Sequence, residues 1–491
     1  MNRNSLIFLY FICLTVFADA QTPPALRRFL ALKSLAGASV SLMARDVASG
    51  DTLYAYGERR ELTPASVMKL VTTAAALEIL GEEYRYLTSV EYDGVIRDDI
   101  LDGNIYIKGS GDPTLGSAHF SPDRESFSPD DNTFAPQWVD ALLRAGIKNV
   151  KGNVVADESV FDSEGISMKW LSEDLGSYYG AGSYGLSVFD NLCKIYVDAG
   201  AVGTKPELAT CVPQMPGLCF HNYLTAATST ADSVYVVGAP YSNDRYLYGI
   251  VPANTKRHVV RGDIPDPPLF LATYIYMYMQ SSGIGITGSP TSFRILSESN
   301  QWRPGVRKRI AVTQSPSLRE IVRVVNERSH NLYADALFKT LGLSYLPRQG
   351  EKVSSFGKGA KIVREHWAKN GMDVSSLWMF DGSGLAITDK VTAGFLCDLL
   401  TYMAVKSPQS EAFVSSLPMA GMEGSVRNFL RGSALQGKAR LKSGGMSRVR
   451  SYAGYIDKGG KRYAVAVIVN NYSGAVQAIV HDLENLLLEL F

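Results

Sequence analysis

The spacing of apolar residues changes several times along the chain, and each change predicts an element. Residues 38–45 (ASVSLMAR) alternate and predict a strand; after a turn, residues 52–56 predict its hairpin partner. Apolar spacing then turns helical through VTTAAALEIL and stops at Gly81. Upstream, Thr63 is the expected N-cap and Pro64 the first helical residue, which makes Ser66 the third. Between residues 88 and 262 short apolar runs at 104–109, 153–157 and 233–237 alternate with Gly, Pro, Asp and Ser, the pattern of a strand-rich segment. Helical spacing returns from about 268. Ser317-Leu318-Arg319-Glu320 reads as a capping box that opens one helix, and NLYADALFKTLG follows as a second. Residues 439–443 predict a short strand ending in Gly444-Gly445. SYAGYI and YAVAVIVN predict a hairpin around DKGGKR, and an amphipathic helix closes the chain.

These elements imply an α/β chain with a split domain: antiparallel strands flanked by helices, with a strand-rich insertion between the halves. The boundaries expected are 21–88 and 262–491 for the split domain and 89–261 for the insertion. A length of 491 residues accommodates them. The net charge of +1 argues against nucleic acid as a partner. At the N-terminus, Arg3, an apolar run at 6–17 and Ala18-Asp19-Ala20 predict a cleaved signal peptide over residues 1–20, hence export to the periplasm. Of the remaining cysteines, Cys211 and Cys219 could close a small disulfide loop or stay free. All four are expected to lack His or Cys neighbours at metal-ligand spacing, so no zinc site, metal or cofactor is expected.

Three short segments carry chemistry. In Ser66-Val67-Met68-Lys69 the two polar residues share a helix face, so Lys69 Nζ can reach Ser66 Oγ and act as its base if burial lowers the lysine pKa. The Ser66 N–H, at a helix start, can bind a developing oxyanion. Ser329-His330-Asn331 falls at a helix junction, where Ser329 can relay a proton and Asn331 can hold Lys69. Lys442-Ser443-Gly444 ends a strand, where a cation and a hydroxyl can bind a carboxylate and the Gly445 N–H can be the second oxyanion donor. Any one of these is a common chance match. Their order, on helix, helix junction and strand, is the pattern of penicillin-binding proteins and serine β-lactamases.

The chain resembles the class C low-molecular-mass penicillin-binding proteins, the D-Ala-D-Ala carboxypeptidase/endopeptidases. The resemblance rests on the long separation of Ser66 from Ser329, on Gly111-Asp112-Pro113-Thr114-Leu115, and on Asp381-Gly382-Ser383-Gly384-Leu385 followed by Val391-Thr392. It implies a β-lactamase/penicillin-binding fold with one or two small inserted domains, and peptidoglycan peptides as substrates. It also implies β-lactams as covalent inhibitors and an acyl-enzyme on Ser66 activated by Lys69. Ser329 and Asn331 would complete the relay, Lys442 and Ser443 would bind the terminal carboxylate, and Asp157 would lie near the substrate side chain. Ser443 replaces the commoner Thr, and His330 could alter the local proton balance. A β-lactamase and a non-catalytic binding module are the competing readings. Rapid deacylation of bound penicillin marks the first, and absence of labelling at Ser66 marks the second.

Overall fold

The computed structural model describes residues 22–121, 128–228 and 233–491. The expected leader at 1–20 lies outside them.

Residues Ser39–Asp46 form the fourth strand of a five-stranded antiparallel sheet centred on Lys461–Asn470. Its order is Ala439–Met446, Val449–Lys458, Lys461–Asn470, Ser39–Asp46 and Thr52–Tyr56, so the two chain ends build one sheet. Both faces are covered. One packs on the terminal helices Pro24–Leu30 and Val476–Leu490 through Leu42, Val467 and Leu483. The other packs on helices that include Met68–Leu80, Leu318–Arg328, Asn331–Leu341 and Ala393–Val405. Helix Met68–Leu80 is apolar nearly all round, with ten buried residues, as expected of a helix enclosed on every side.

The strand Ala439–Met446 runs through Gly444 and Gly445 rather than stopping before them, because both pair with Val449–Lys458 (Gly444 with Ser451, Gly445 with Arg450). It is an edge strand: its outer side is bonded at Ala439 and Leu441 to Ala420 and Pro418, and further along Ser443, Gly444 and Gly445 line a cleft.

The intervening segment carries its own cores. A mixed sheet of Pro290–Ser292, Val154–Asp157, Ile105–Lys108, Leu87–Tyr92 and Lys308–Gln314 encloses Trp138, Ile107 and Leu271. Two three-stranded sheets enclose Ile195, Leu224 and Leu247. The return of the chain comes later than residue 262. Helix Pro267–Ser281 packs in the inserted core, and Lys308–Gln314 pairs with Leu87–Tyr92, so we place the boundary near residue 315. Helical periodicity alone does not say which core a helix serves.

Cys193, Cys211, Cys219 and Cys397 are free. The expectation that the cysteines lack a histidine at ligand spacing is overturned. On one strand, Cys219 Sγ lies 3.8 Å from His221 Nε2, and parallel pairing places Asp244 opposite Cys219.

Candidate active site

The turn that carries Ser66 departs from expectation. Thr63 does not cap the helix: its hydroxyl donates to the Ile387 carbonyl at 3.0 Å and accepts from Lys390 Nζ. A 3₁₀ turn, Ala65–Val67, precedes the α-helix Met68–Leu80, with Ala65 at φ 49°. A non-glycine residue with positive φ next to the serine is local strain of the kind held in place at functional sites. Two contacts hold it: Ser451 Oγ donates to the Pro64 carbonyl at 2.6 Å, and Asn470 bonds both backbone groups of Thr63.

Around this turn the structure gathers Ser66, Lys69, Ser329, Asn331, Lys442, Ser443, Gly444 and Gly445. A cleft of about 350 Å³ is lined by Ser66, Ser329, Ser443, Gly444, Gly445 and Arg450, among others. Lys69 is fully buried, with Nζ 2.9 Å from Ser66 Oγ, 2.7 Å from Asn331 Oδ1 and 2.6 Å from the Ser383 carbonyl. The last two are pure acceptors and take two N–H groups. The remaining position on nitrogen faces Ser66, ready to accept its proton when the amine is neutral. Burial lowers the Lys69 pKa to about 8, while the carboxyls of Asp335, Asp381 and Asp389 hold it from falling further. About a tenth of Lys69 is then neutral at pH 7, against roughly one part in 2,500 for an ordinary lysine.

Ser329 sits between two helices, Leu318–Arg328 and Asn331–Leu341, in the left-handed region at φ 58°. The capping box forms as expected, with Ser317 and Glu320 bonded reciprocally. Lys442 Nζ donates to Ser329 Oγ at 2.8 Å and to the Ser443 carbonyl at 2.7 Å. Burial drives its pKa well below the ordinary lysine range, and repulsion from Lys69 adds to this. Ser443 Oγ lies 2.8 Å from Ser425 Oγ.

Asp157 is not brought to this cleft. It is buried in the inserted sheet, where Arg307 Nη1 donates to its Oδ2 at 2.6 Å and the Ser159 N–H reaches its Oδ1. Its charge is matched by an arginine 150 residues away, a pairing invisible to local pattern.

Two contributors escaped sequence reasoning. The Asp381 carboxylate accepts from the N–H groups of Ser383, Gly384 and Ala386 and from Trp170 Nε1 at 2.7 Å. This folds the loop so that the Ser383 carbonyl meets Lys69. A Cβ on Gly384 would lie 2.1 Å from the Ala65 carbonyl, so the loop packs directly on the turn that carries Ser66. The Asn331 amide donates to the Tyr179 carbonyl at 2.8 Å. The inserted segment thus touches the site through Trp170 and Tyr179. The Asp-Gly-Ser-Gly pattern was a signal for the first of these contacts; a backbone carbonyl leaves none for the second. In the Gly-Asp-Pro-Thr-Leu stretch, Asp112 accepts from Thr114, and Ser117 just beyond bonds the Tyr333 hydroxyl.

The family model described as D-Ala-D-Ala carboxypeptidase 3 (S13) family matches residues 24–487. A D-alanyl-D-alanine carboxypeptidase of Actinomadura sp. (strain R39) is 26% identical over 462 residues, spanning 91% of this chain and 81% of the relative. The crystal structure of penicillin binding protein 4 (dacB) from Haemophilus influenzae superposes with a TM-score of 0.77 at 23% identity, covering 93% of this chain and 97% of that one. The same protein complexed with a novel β-lactam gives a TM-score of 0.73 at 20% identity, covering 93% and 97%.

Proposed function

The chain belongs to the D-Ala-D-Ala carboxypeptidase 3 (S13) family, and from that premise we propose how its side chains divide the work of a serine D-Ala-D-Ala carboxypeptidase. Lys69, neutral, takes the proton of Ser66 as Ser66 Oγ attacks the carbonyl carbon of the penultimate D-Ala. The oxyanion forms between the N–H groups of Ser66 and Gly445. The C–N bond then breaks, the leaving amine takes the proton that Lys69 removed from Ser66, relayed through Ser329, and D-Ala departs with Lys69 neutral again. Water hydrolyses the Ser66 ester with Lys69 again as base. Lys442, Ser443 and Arg450 receive the terminal carboxylate. An arriving carboxylate favours protonated Lys442, and that cation keeps Lys69 neutral by repulsion.

The observation that carries this reading is the position of Lys69 Nζ, with two hydrogen-bond positions held by pure acceptors and the third directed at Ser66 Oγ. We further propose that β-lactams acylate Ser66, that crosslinked peptides are cleaved as well as free ones, and that the protein is exported to the periplasm. Among the described residues no helix is long and apolar enough to cross a membrane. Labelling with a fluorescent penicillin should be lost in Ser66→Ala. Digestion of purified peptidoglycan should consume pentapeptides and crosslinked dimers. Labelling that survives Ser66→Ala would overturn the assignment of the nucleophile.

A further inference from the structure

Behind the catalytic turn lies a second cluster of ligating side chains, which the acyl-transfer chemistry does not use. His330, between Ser329 and Asn331, is not among the groups lining the cleft. Its ring meets His119 edge-on at 5.1 Å, and its Nε2 lies 3.9 Å from Asp190 Oδ1. One donor atom from each of His119, Asp190 and His330 lies within 4.8 Å of the other two. His119 and Asp190 also line a separate cavity of about 430 Å³.

The surroundings hold this arrangement in place. Phe189, Asp190 and Asn191 are three consecutive non-glycine residues at positive φ (52°, 57° and 52°). Such a run persists only where neighbours enforce it. Here the Asn191 side chain bonds Val188 N, Gly182 O and Ser187 Oγ. The Tyr333 hydroxyl donates to Asp190 Oδ1 at 2.7 Å, and its ring packs on His330 at 4.0 Å, so one residue orients both. Such support around donor groups is typical of metal sites. His330 Nδ1 is buried and has no hydrogen-bond partner among the described residues.

We propose that His119, Asp190 and His330 form a transition-metal site of the Zn²⁺ class, with a fourth position open to the cavity. Two imidazoles and a carboxylate suit that ion. Zinc bonds of about 2.0–2.1 Å place ligand atoms roughly 3.3 Å apart, so the three groups need to draw in by about an ångström or so. The ion would join His119 and Asp190 of the inserted segment to the residue that links Ser329 and Asn331. It would clamp the insertion onto the catalytic turn and take no part in the acyl transfer.

The test uses the whole chain after treatment with a chelator. The Cys219→Ser substitution removes the other three-donor cluster found among the described residues, Cys219, His221 and Asp244. In that background, calorimetric titration with Zn²⁺ should show one equivalent bound and a raised melting temperature. Co²⁺ should give visible d–d bands without a thiolate charge-transfer band. His119→Ala and Asp190→Asn should each weaken binding by about tenfold or more. Penicillin labelling of each variant reports that it is folded. No binding by the folded Cys219→Ser protein at millimolar Zn²⁺, or unchanged affinity in both ligand variants, would overturn the proposal. If one variant fails to fold, the other and the cobalt spectrum still decide.

Discussion

Replacing Gly444 by alanine tests how the edge strand supports the turn that carries Ser66, the proposed nucleophile. A Cβ there would lie 2.3 Å from Ser451 Oγ, 2.7 Å from the Pro64 carbonyl and 3.0 Å from Ser66 N. Carbon atoms need about 3.5 Å, so the Pro64 carbonyl must retreat by roughly 0.8 Å and the serine hydroxyl by about 1.2 Å. Both are tied to the strained turn, since Ser451 Oγ donates to that carbonyl. The displacement therefore passes to Ser66 and its N–H. A misplacement near 1 Å costs about 10²-fold in rate, and overpacking costs about 1–3 kcal/mol of stability. Gly444→Ala should stay folded, with a lowered melting temperature. Its second-order acylation by a fluorescent penicillin, and kcat/KM on a D-Ala-D-Ala peptide, should fall by roughly 10–100-fold. At Gly445, by contrast, the first obstruction is the Arg450 guanidinium, the mobile end of a side chain, so Gly445→Ala should lose less stability. An acylation rate for folded Gly444→Ala within about threefold of the parent would refute the reasoning.

With the Lys69 pKa lowered to about 8, the proposed neutral-amine role predicts an acylation rate that rises about tenfold per pH unit below 7 and levels off above 8. A stopped-flow profile that is flat from pH 5 to 9 would exclude that role. Asn331→Ala removes one of the two fixed acceptors of Lys69 Nζ; acylation should drop by about 10²-fold or more with labelling still detectable, as read by time-resolved penicillin binding. Trp170→Phe deletes one donor to buried Asp381 and should cost about 1–3 kcal/mol in thermal or urea unfolding, together with slower acylation. Lys339 is fully buried and donates to the carbonyls of Glu164 and Ser183; Lys339→Met should loosen the inserted segment, lowering the melting temperature and speeding limited proteolysis.

Much of the catalytic half was legible in the sequence because its signals are local. The Ser317 capping box, the hairpin around DKGGKR, the helix stop at Gly81 and the helix junction at Ser329 depend on residues a few positions apart. The three motifs also named the groups that meet in the cleft. Distant packing decided the rest. Thr63 has the composition of an N-cap, yet its hydroxyl is claimed by Ile387 and Lys390, and the helix starts later. Asp157 looked available until Arg307 paired with it. Cys219 acquired its acidic neighbour only when parallel strands aligned. The Ser383 and Tyr179 carbonyls that complete the Lys69–Asn331 network are backbone atoms, which every residue carries, so their importance is set by position alone. The sequence by itself determined which residues can do the chemistry, since reactive groups and local backbone preferences are written residue by residue. Only the tertiary structure decided the burial that lowers the Lys69 pKa and the strained turn that carries Ser66, because burial and strain are imposed by segments hundreds of residues apart.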